Sequence, residues 1–462
     1  MSAALDRIRA VAARLGRRTV VALAVIAAVG LLARGVAVVH PVSHPADDSA
    51  AYFGLAKALY EEGSFGGPTF QNSSDWSPGA PLLYAAAFVA TGGAREGTAR
   101  AVEALLGTAA ILVVFALGRR LARGLPGPGG RNPANLVGLV AAGAVAVYPP
   151  FIHSTGELMS EPPAILTLPA AVLAFLWACE EERRWWAWLA PGFLFGLTAM
   201  FRPEYLLVGI AFVALAAIRV GARRGWQPGL AAAALAGVAL AATILPWTIR
   251  NAVVLDRLVP ISTGGGKALY VGTFLPADGE YQRVKAILYH RETGVWLPPQ
   301  SEALNEVDPT PLFNRVAERY PELPRDSALG KVGKQNLSKY LGEDPLGYLG
   351  MTVRKVGRMW SSGVGAAMSS GPGRAVQILL VALALGGLVL LGLRRRWWDL
   401  TAMATPIVLV TLVGAVTLAA PRRNEVLMTL AFPLAALALS AGLAAISSAP
   451  RWSSRQASSP PN

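Results

Sequence analysis

Apolar runs as long as a bilayer is thick recur along this sequence, and they limit what it can fold into. The first covers residues 20–39, and about 20 residues at helical rise cross the hydrocarbon layer. Hydrophobic residues make up 53% of the 462 residues and charged residues only 15%, against about 25% charged in ordinary soluble domains. We therefore predict an all-α polytopic membrane protein.

Clusters of arginine separate the apolar runs and predict the topology. The positive-inside rule puts such clusters on the cytoplasmic side. The clusters are Arg7, Arg9, Arg14, Arg17 and Arg18; Arg119, Arg120, Arg123 and Arg131; Arg183 and Arg184; Arg219, Arg223 and Arg224; and Arg394, Arg395 and Arg396. A net charge of +14 would also suit nucleic acid, but this distribution favours a membrane protein with no nucleic-acid partner.

About ten transmembrane helices alternate consistently with these clusters. We expect them near residues 19–39, 99–118, 134–151, 161–179, 185–200, 204–219, 229–248, 376–393, 401–419 and 425–447. The first is expected to be retained in the membrane, because its apolar part is too long for a signal peptide. Both termini then lie inside. The apolar but short residues 81–90 are expected to form a re-entrant or interfacial helix in the first outer loop.

The longest hydrophilic segment lies outside in this topology and divides the chain into three parts. Residues 1–250 form an N-terminal transmembrane catalytic module with the first outer loop, and residues 251–375 an extracytoplasmic loop domain. Residues 376–462 form the C-terminal transmembrane helices and a short disordered tail. Cys179 is the one cysteine, so packing rather than an intramolecular disulfide must hold the outer segment.

Many charged side chains are predicted to gather at the outer surface. An ionised group at the centre of an apolar helix costs roughly 2.5–3.5 kcal/mol, so charges beside such helices usually face an aqueous cavity and are functional candidates. Interfacial anchoring is the alternative for each one. The set, with one amide, comprises Asp47, Asp48, Glu61, Glu62, Asp75, Glu157, Glu161, Arg202, Glu204, Arg250, Asn251, Arg422 and Arg423.

Five short motifs follow one another through the first part of the chain. They are DSAAY at 48–52, SPGAPLLY at 77–84, LMSE at 158–161, GLTAMFRP at 196–203 and PWTIRN at 246–251. In this order they resemble the signatures of the protein-mannosyltransferase-like, GT-C class of integral membrane glycosyltransferases. The resemblance reaches about Gly272 and includes VPISTGGG at 259–266. Beyond Gly272 only the pattern of apolar and polar stretches resembles the family.

The resemblance implies a GT-C-like helical bundle that transfers a hexosyl or pentosyl unit from a polyprenyl-phosphate donor. The acceptor would be a protein, lipid or glycan on the extracytoplasmic side of the cell membrane, with membrane lipids around the helices. We expect inversion at the anomeric carbon, because one base suffices and no covalent carboxylate pair is evident. A phosphate leaving group needs cations, and an acceptor hydroxyl needs a base. The resemblance fixes no cofactor and leaves a divalent cation open.

The resemblance also implies roles for individual residues. Asp48 occupies the first-loop acidic position and is the expected general base, while Asp47 could share or take that role. Two adjacent carboxylates repel, so one of them is expected to have a raised pKa. The alternative for both is capping of the helix that follows, since Asp is a favoured N-cap.

A second group is expected to bind the donor or the acceptor. Glu161 is the second-loop acid, with Glu157 one turn before it, and helix capping is the competing role for Glu161. Arginines suit a donor phosphate because guanidinium matches phosphate oxygens bidentately, although snorkelling to the interface is their alternative. The complete group is Tyr52, Glu157, Glu161, Arg202, Arg250, Asn251 and Arg423.

Other functions and sites were weighed against this one. A membrane transporter or lipid flippase of the cell envelope would predict internal repeats and broken mid-membrane helices around a central site. A non-catalytic scaffold would not need the five motifs. The glycine-rich residues 264–267 lack the first glycine and the Ser or Thr of a phosphate loop. His153 and Glu157 have helical spacing for a cation, but a hydrogen-bonded histidine is the simpler interpretation.

Overall fold

The computed structural model describes residues 13, 15–41, 47–66, 74–125, 127, 132–181, 184–299 and 301–448. This part of the chain contains nineteen α-helices, joined by short loops and 3-10 turns, and no strand. The helices are α1 (Arg17–Val39), α2 (Asp47–Glu62), α3 (Gly79–Thr91), α4 (Glu96–Leu121), α5 (Ala134–Val147), α6 (Pro149–Gly156), α7 (Glu161–Glu180), α8 (Leu189–Phe201), α9 (Tyr205–Arg224), α10 (Trp226–Leu255), α11 (Gly265–Thr273), α12 (Tyr281–Thr293), α13 (Thr310–Ala317), α14 (Arg325–Glu343), α15 (Pro345–Ser361), α16 (Ala366–Ser369), α17 (Gly371–Leu393), α18 (Trp397–Val416) and α19 (Pro421–Ser448).

Eight of these helices are long and apolar enough to cross a membrane, namely α1, α4, α7, α9, α10, α17, α18 and α19. The pair α5 and α6 meets the same test as a unit but is bent by 44°. The bend lies at Pro149 and Pro150, where proline removes a backbone donor and crowds the preceding turn. The multi-pass all-α fold predicted from the apolar runs is confirmed.

Two apolar helices are shorter than a full span. The region expected at 185–200 consists of a 3-10 turn, Trp185–Trp188, followed by the 13-residue α8. Helix α3 also has 13 residues, about 20 Å of helix, against a hydrocarbon layer of about 30 Å. It packs against α2. A re-entrant or interfacial position for α3 stays a prediction.

Helices α7 and α19 form the centre of the bundle. In each of them 72% of the apolar stretch is buried inside the protein, more than in any other of the eight long helices. Helix α19 packs against α4, α5, α7 and α17. Both central helices begin at the same end of the bundle, so the side chains of their first turns meet there.

Helices α11 to α14, with the 3-10 turn Leu275–Ala277, carry a hydrophobic cluster of their own. It is built from Tyr270, Val271, Ala277, Val284, Phe313, Val316, Leu329 and Val332. The buried Lys355 ties this part to the membrane helices, because its Nζ donates to the carbonyl oxygens of Gly272 at 2.7 Å and of Thr417 at 3.0 Å. The domain boundaries at 250 and 375 stay predictions, although α10 continues to Leu255.

Candidate active site

Four segments that are distant in sequence bring charged side chains together where α7 and α19 begin. Asp48 lies in the first turn of α2, Glu161 begins α7, Arg202 follows α8 and Arg422 lies in the first turn of α19. Of these, Asp48, Glu161 and Arg202 were predicted site residues, and the structure places them in one chain of ion pairs.

Arg422 joins the two acids that the motifs singled out. Its Nη1 donates to Asp48 Oδ2 at 2.9 Å, and its Nε donates to Glu161 Oε1 at 2.8 Å. Arg422 and Arg423 were both expected at the outer surface, but only Arg423 was predicted to bind the donor or the acceptor. Two adjacent residues on a helix point about 100° apart, and without the packing of α19 the sequence does not show which one faces the acids.

Arg202 extends the chain of charges on the other side of Glu161. Its Nη1 donates to Glu161 Oε1 at 2.6 Å, and its Nε and Nη2 donate to Glu204 Oε1 at 3.1 and 2.8 Å. Burial lowers the pKa of Arg202, but Glu204 and Glu161 raise it more, so it lies above the ordinary value. Arg202 is therefore a permanent cation, and three of its five N–H donors bond to carboxylates.

Exposure distinguishes the acids of this cluster. The side chain of Glu161 is 1% exposed and is held by two arginines, whereas that of Asp48 is 46% exposed. Asp48 Oδ1 accepts a hydrogen bond from Trp76 Nε1 at 3.2 Å, which fixes the carboxylate plane. Of the two acids that Arg422 joins, Asp48 is therefore the one that a substrate could reach.

The protonation of Asp48 follows from the same contacts. Burial raises its pKa, but the Arg422 guanidinium and hydrogen bonds from Arg422 and Trp76 lower it more, with a further contribution from Lys267. The pKa of Asp48 therefore lies below the ordinary value for aspartate. The raised pKa expected for one of the adjacent acids does not apply to Asp48, because the sequence could not show that Arg422 lies against it.

The partner acid Asp47 begins α2, but its side chain lies outside the described residues. Tyr52, one turn further along α2, is buried and packs on the inner side of the site. Its hydroxyl lies 3.3 Å from Ser77 Oγ, which itself donates to the carbonyl oxygen of Phe201 at 2.6 Å. The first, second and fourth motifs meet at this point, which gives Tyr52 a structural role; substrate binding by Tyr52 stays a prediction.

Glu157 and Arg423 make contacts other than those of the chain of ion pairs. Glu157 pairs with His153 Nε2 at 3.1 Å. Arg423 lies close enough to Glu204 to lower the pKa of that carboxyl, which burial raises and Arg202 lowers. Its Nη1 is buried and has no hydrogen-bond partner in the part of the chain that the structure describes. Within those same residues, no three metal-ligating side chains cluster, and the divalent cation stays an open question.

Arg250 and Asn251 hold loops rather than the central ion pairs. Arg250 Nη2 donates to the Phe65 carbonyl oxygen at 2.8 Å, and the guanidinium lies 5.0 Å from the ring centre of Trp247. The buried amide of Asn251 donates to the carbonyl oxygens of Val259 and Ile261, at 3.0 Å each. The fifth motif thereby fixes the loop that leads to α11, and phosphate binding by Arg250 stays a prediction.

Several polar residues near the site were not predicted from the sequence. Glu103 is fully buried in α4 and accepts a short hydrogen bond from Tyr84, whose hydroxyl also lies 3.1 Å from the Met159 carbonyl oxygen. Glu425 is 1% exposed in α19. An acid inside an apolar run was the available signal for both. In the sequence, Lys267 stood out only as part of the glycine-rich residues 264–267. In the structure its positive charge helps to lower the pKa of Asp48.

Part of the chain matches a known family, and almost all of it matches the fold of solved structures. Residues 75–247 match the family model described as dolichyl-phosphate-mannose-protein mannosyltransferase. No curated protein matches the chain. One similar solved structure is archaeal oligosaccharyltransferase AglB from Archaeoglobus fulgidus with an inhibitory peptide and a dolichol-phosphate, at 15% identity and a TM-score of 0.51. It is matched over 92% of this chain and 50% of that one.

A second structure of the Archaeoglobus fulgidus oligosaccharyltransferase carries a tethered acceptor peptide. It has the same identity of 15% and TM-score of 0.51, over 93% of this chain and 50% of that one. This chain therefore spans about half the length of the solved proteins that it matches. The resemblance to the GT-C class of integral membrane glycosyltransferases is confirmed, by the family model over residues 75–247 and by the fold over almost the whole chain.

Proposed function

We propose that this protein transfers a sugar from a polyprenyl-phosphate donor to an acceptor at the membrane surface where α7 and α19 begin. The observation that supports the proposal most is the half-exposed carboxylate of Asp48, which Trp76 and Arg422 hold at the most exposed end of the chain of charges. By the positive-inside expectation this surface is extracytoplasmic. The matched family is named for dolichyl-phosphate-mannose and the AglB structure contains a dolichol-phosphate, and both support a lipid-phosphate donor.

The reaction needs one base and one stabilised leaving group. The acceptor hydroxyl attacks the anomeric carbon and gives its proton to Asp48, while the bond to the donor phosphate breaks and its electron pair stays on the phosphate oxygen. Asp48 is available as the base because its lowered pKa keeps the carboxylate unprotonated at neutral pH. A hydrogen-bonded, ion-paired carboxylate is also held in a fixed direction.

Stereochemistry follows from the number of accessible carboxylates. A retaining enzyme would need a second carboxylate free to attack the sugar, about 5 Å from the first in the retaining enzymes best known. Glu161 is buried and shared between Arg202 and Arg422, so it is not free for that role. A single displacement inverts the anomeric carbon, and we propose inversion here.

The leaving phosphate needs a cation that is able to change partners. Arg202 is enclosed by Glu161 and Glu204, whereas Arg422 is 33% exposed beside Asp48. Lys267 is exposed and adds positive potential at Asp48. We propose that Arg422 contacts the donor phosphate, because its guanidinium matches phosphate oxygens bidentately, and that Lys267 assists.

The test is a transfer assay with purified protein and a panel of polyprenyl-phosphate sugars. We expect one donor to lose its sugar to an acceptor, and the product to have the opposite anomeric configuration by NMR. Retention would contradict the single displacement. A flippase would instead move labelled lipid across proteoliposomes without cleaving it, and that result with no sugar transfer would replace the proposed function.

A further inference from the structure

A cavity of about 930 Å³ lies between α1, α4 and α7, away from the charged cluster. Its walls are apolar side chains such as Leu23, Leu112 and Leu173. Charged side chains line only one end of it, where α4 and α7 finish: Arg119, Arg120, Arg123 and Glu180. Its volume falls within the range of about 300–1,000 Å³ of typical ligand sites.

The charged end of this cavity lies across the bundle from the candidate active site. Glu161 begins α7 and Glu180 ends it. At 1.5 Å per residue the two ends are about 29 Å apart, close to the thickness of the hydrocarbon layer. The apolar walls therefore lie at membrane depth, and the arginines lie at the opposite surface from Asp48. The positive-inside rule assigns that surface to the cytoplasmic leaflet.

The arginines at this end exceed the acids that face them. Arg120 pairs with Glu180 at 2.8 Å and with Asp399 at 2.7 Å. Arg123 is 56% exposed and lies 3.9 Å from Glu180. Arg119 donates to Asn135 Oδ1 at 2.8 Å and forms no ion pair with any carboxylate of the described residues. The cavity thus has an apolar interior, and the guanidinium groups at its charged end have N–H donors that could bind a ligand.

We propose that this cavity binds an anionic phospholipid, with an acyl chain between α1, α4 and α7 and the phosphate at Arg119 and Arg123. Basic pockets between transmembrane helices on the cytoplasmic side favour acidic head groups. Guanidinium also binds phosphate oxygens with two parallel hydrogen bonds. The sugar donor does not fit as the resident, because its reacting carbon must reach Asp48 at the other surface.

Native mass spectrometry of the purified protein tests the head-group contact. Delipidated protein receives phosphatidylglycerol or phosphatidylcholine with the same acyl chains. We expect selective retention of phosphatidylglycerol. Changing Arg119→Gln and Arg123→Gln together should weaken it roughly 30-fold, from the usual contribution of a basic side chain to anionic-lipid binding. Arg224→Gln, an exposed arginine at the predicted cytoplasmic end of α9, is the matched control and should change nothing.

The apolar part of the cavity is tested by filling it. Ala116 lines the cavity, so Ala116→Trp should displace the acyl chain and reduce phosphatidylglycerol retention while every arginine remains. Ala214→Trp, at an exposed position of α9, is the control. Equal retention of both lipids, or unchanged retention in the filled variant, would overturn the proposal. So would displacement of phosphatidylglycerol by a polyprenyl phosphate at equal concentration. If the double arginine variant does not fold, the lipid comparison and the filled variant still decide.

Discussion

The guanidinium of Arg422 lies between Asp48 and Glu161, and much of the site's electrostatics depends on it. It lowers the pKa of Asp48 against the effect of burial. The motifs predicted that Asp48, Glu161 and Arg202 matter, and the structure brings these three together. Which of two neighbouring arginines joins them, and the approach of Trp76 and Lys267, depends on packing between segments far apart in sequence.

Arg422→Gln should make Asp48 easier to protonate. With the cation removed, burial dominates and the pKa of Asp48 rises, so the acidic limb of the kcat/KM profile should move to higher pH. Arg422→Lys keeps the charge and should move the limb less. Arg257→Gln, a partly exposed arginine on the same side, is the control. If the acidic limb of the kcat/KM profile stays in place in Arg422→Gln, Asp48 is not the group that titrates.

At the scale of helices, hydropathy predicted most of the bundle, but it does not report bends or contacts. It could not show that the helix near 134–151 breaks at Pro149, or that α8 has only 13 residues. It also could not show that α17 and α19 approach closely at Gly387. A Cβ on Gly387 would lie 2.2 Å from the carbonyl oxygen of Leu434, nearer than any real contact.

Gly387→Ala should therefore destabilise the protein although alanine is the better helix former. Overpacking of this kind typically costs about 1–3 kcal/mol. Gly386→Ala is the matched control, because its Cβ would lie 3.5 Å from that of Ala438, an ordinary contact, and helix propensity favours alanine by about 1 kcal/mol. Thermal unfolding in detergent compares the two. Equal melting temperatures would contradict the close packing of α17 on α19.

Lys355 connects α15 to the carbonyl groups of Gly272 and Thr417, and its charge should make stability depend on pH. Burial, with Arg423 and Arg358, lowers its pKa from 10.5 to about 8. Between these two pH values the unfolded chain therefore binds more protons than the folded protein does. The free-energy cost of burying the charged Lys355 is fully present below pH 8 and is gone above pH 10.5. Relative to Lys355→Met, the native protein should gain stability as pH rises from 8 to 10. A constant difference across that range would contradict this assignment.

At the scale of the whole molecule, the predictions concern sidedness. The structure fixes which charged groups share a surface, and the arginine clusters predict which surface is cytoplasmic. Reporters fused after residues 131, 224 and 396 should report the cytoplasm, and reporters within residues 278–343 should report the outside. A cytoplasmic signal from residues 278–343 would place the Asp48 cluster on the wrong side for an extracytoplasmic transferase.

The most direct test of the central claim is the turnover of Asp48→Asn, measured with the donor that the panel identifies. Asparagine keeps the shape and caps a helix nearly as well, but it cannot accept the proton. We expect turnover to fall by roughly 10²–10⁴-fold while donor binding largely survives, with Glu61→Gln unaffected as the control on α2. If Asp48→Asn folds and retains turnover while Asp47→Asn is inactive, Asp47 is the base; normal turnover in both variants would contradict the first-loop mechanism.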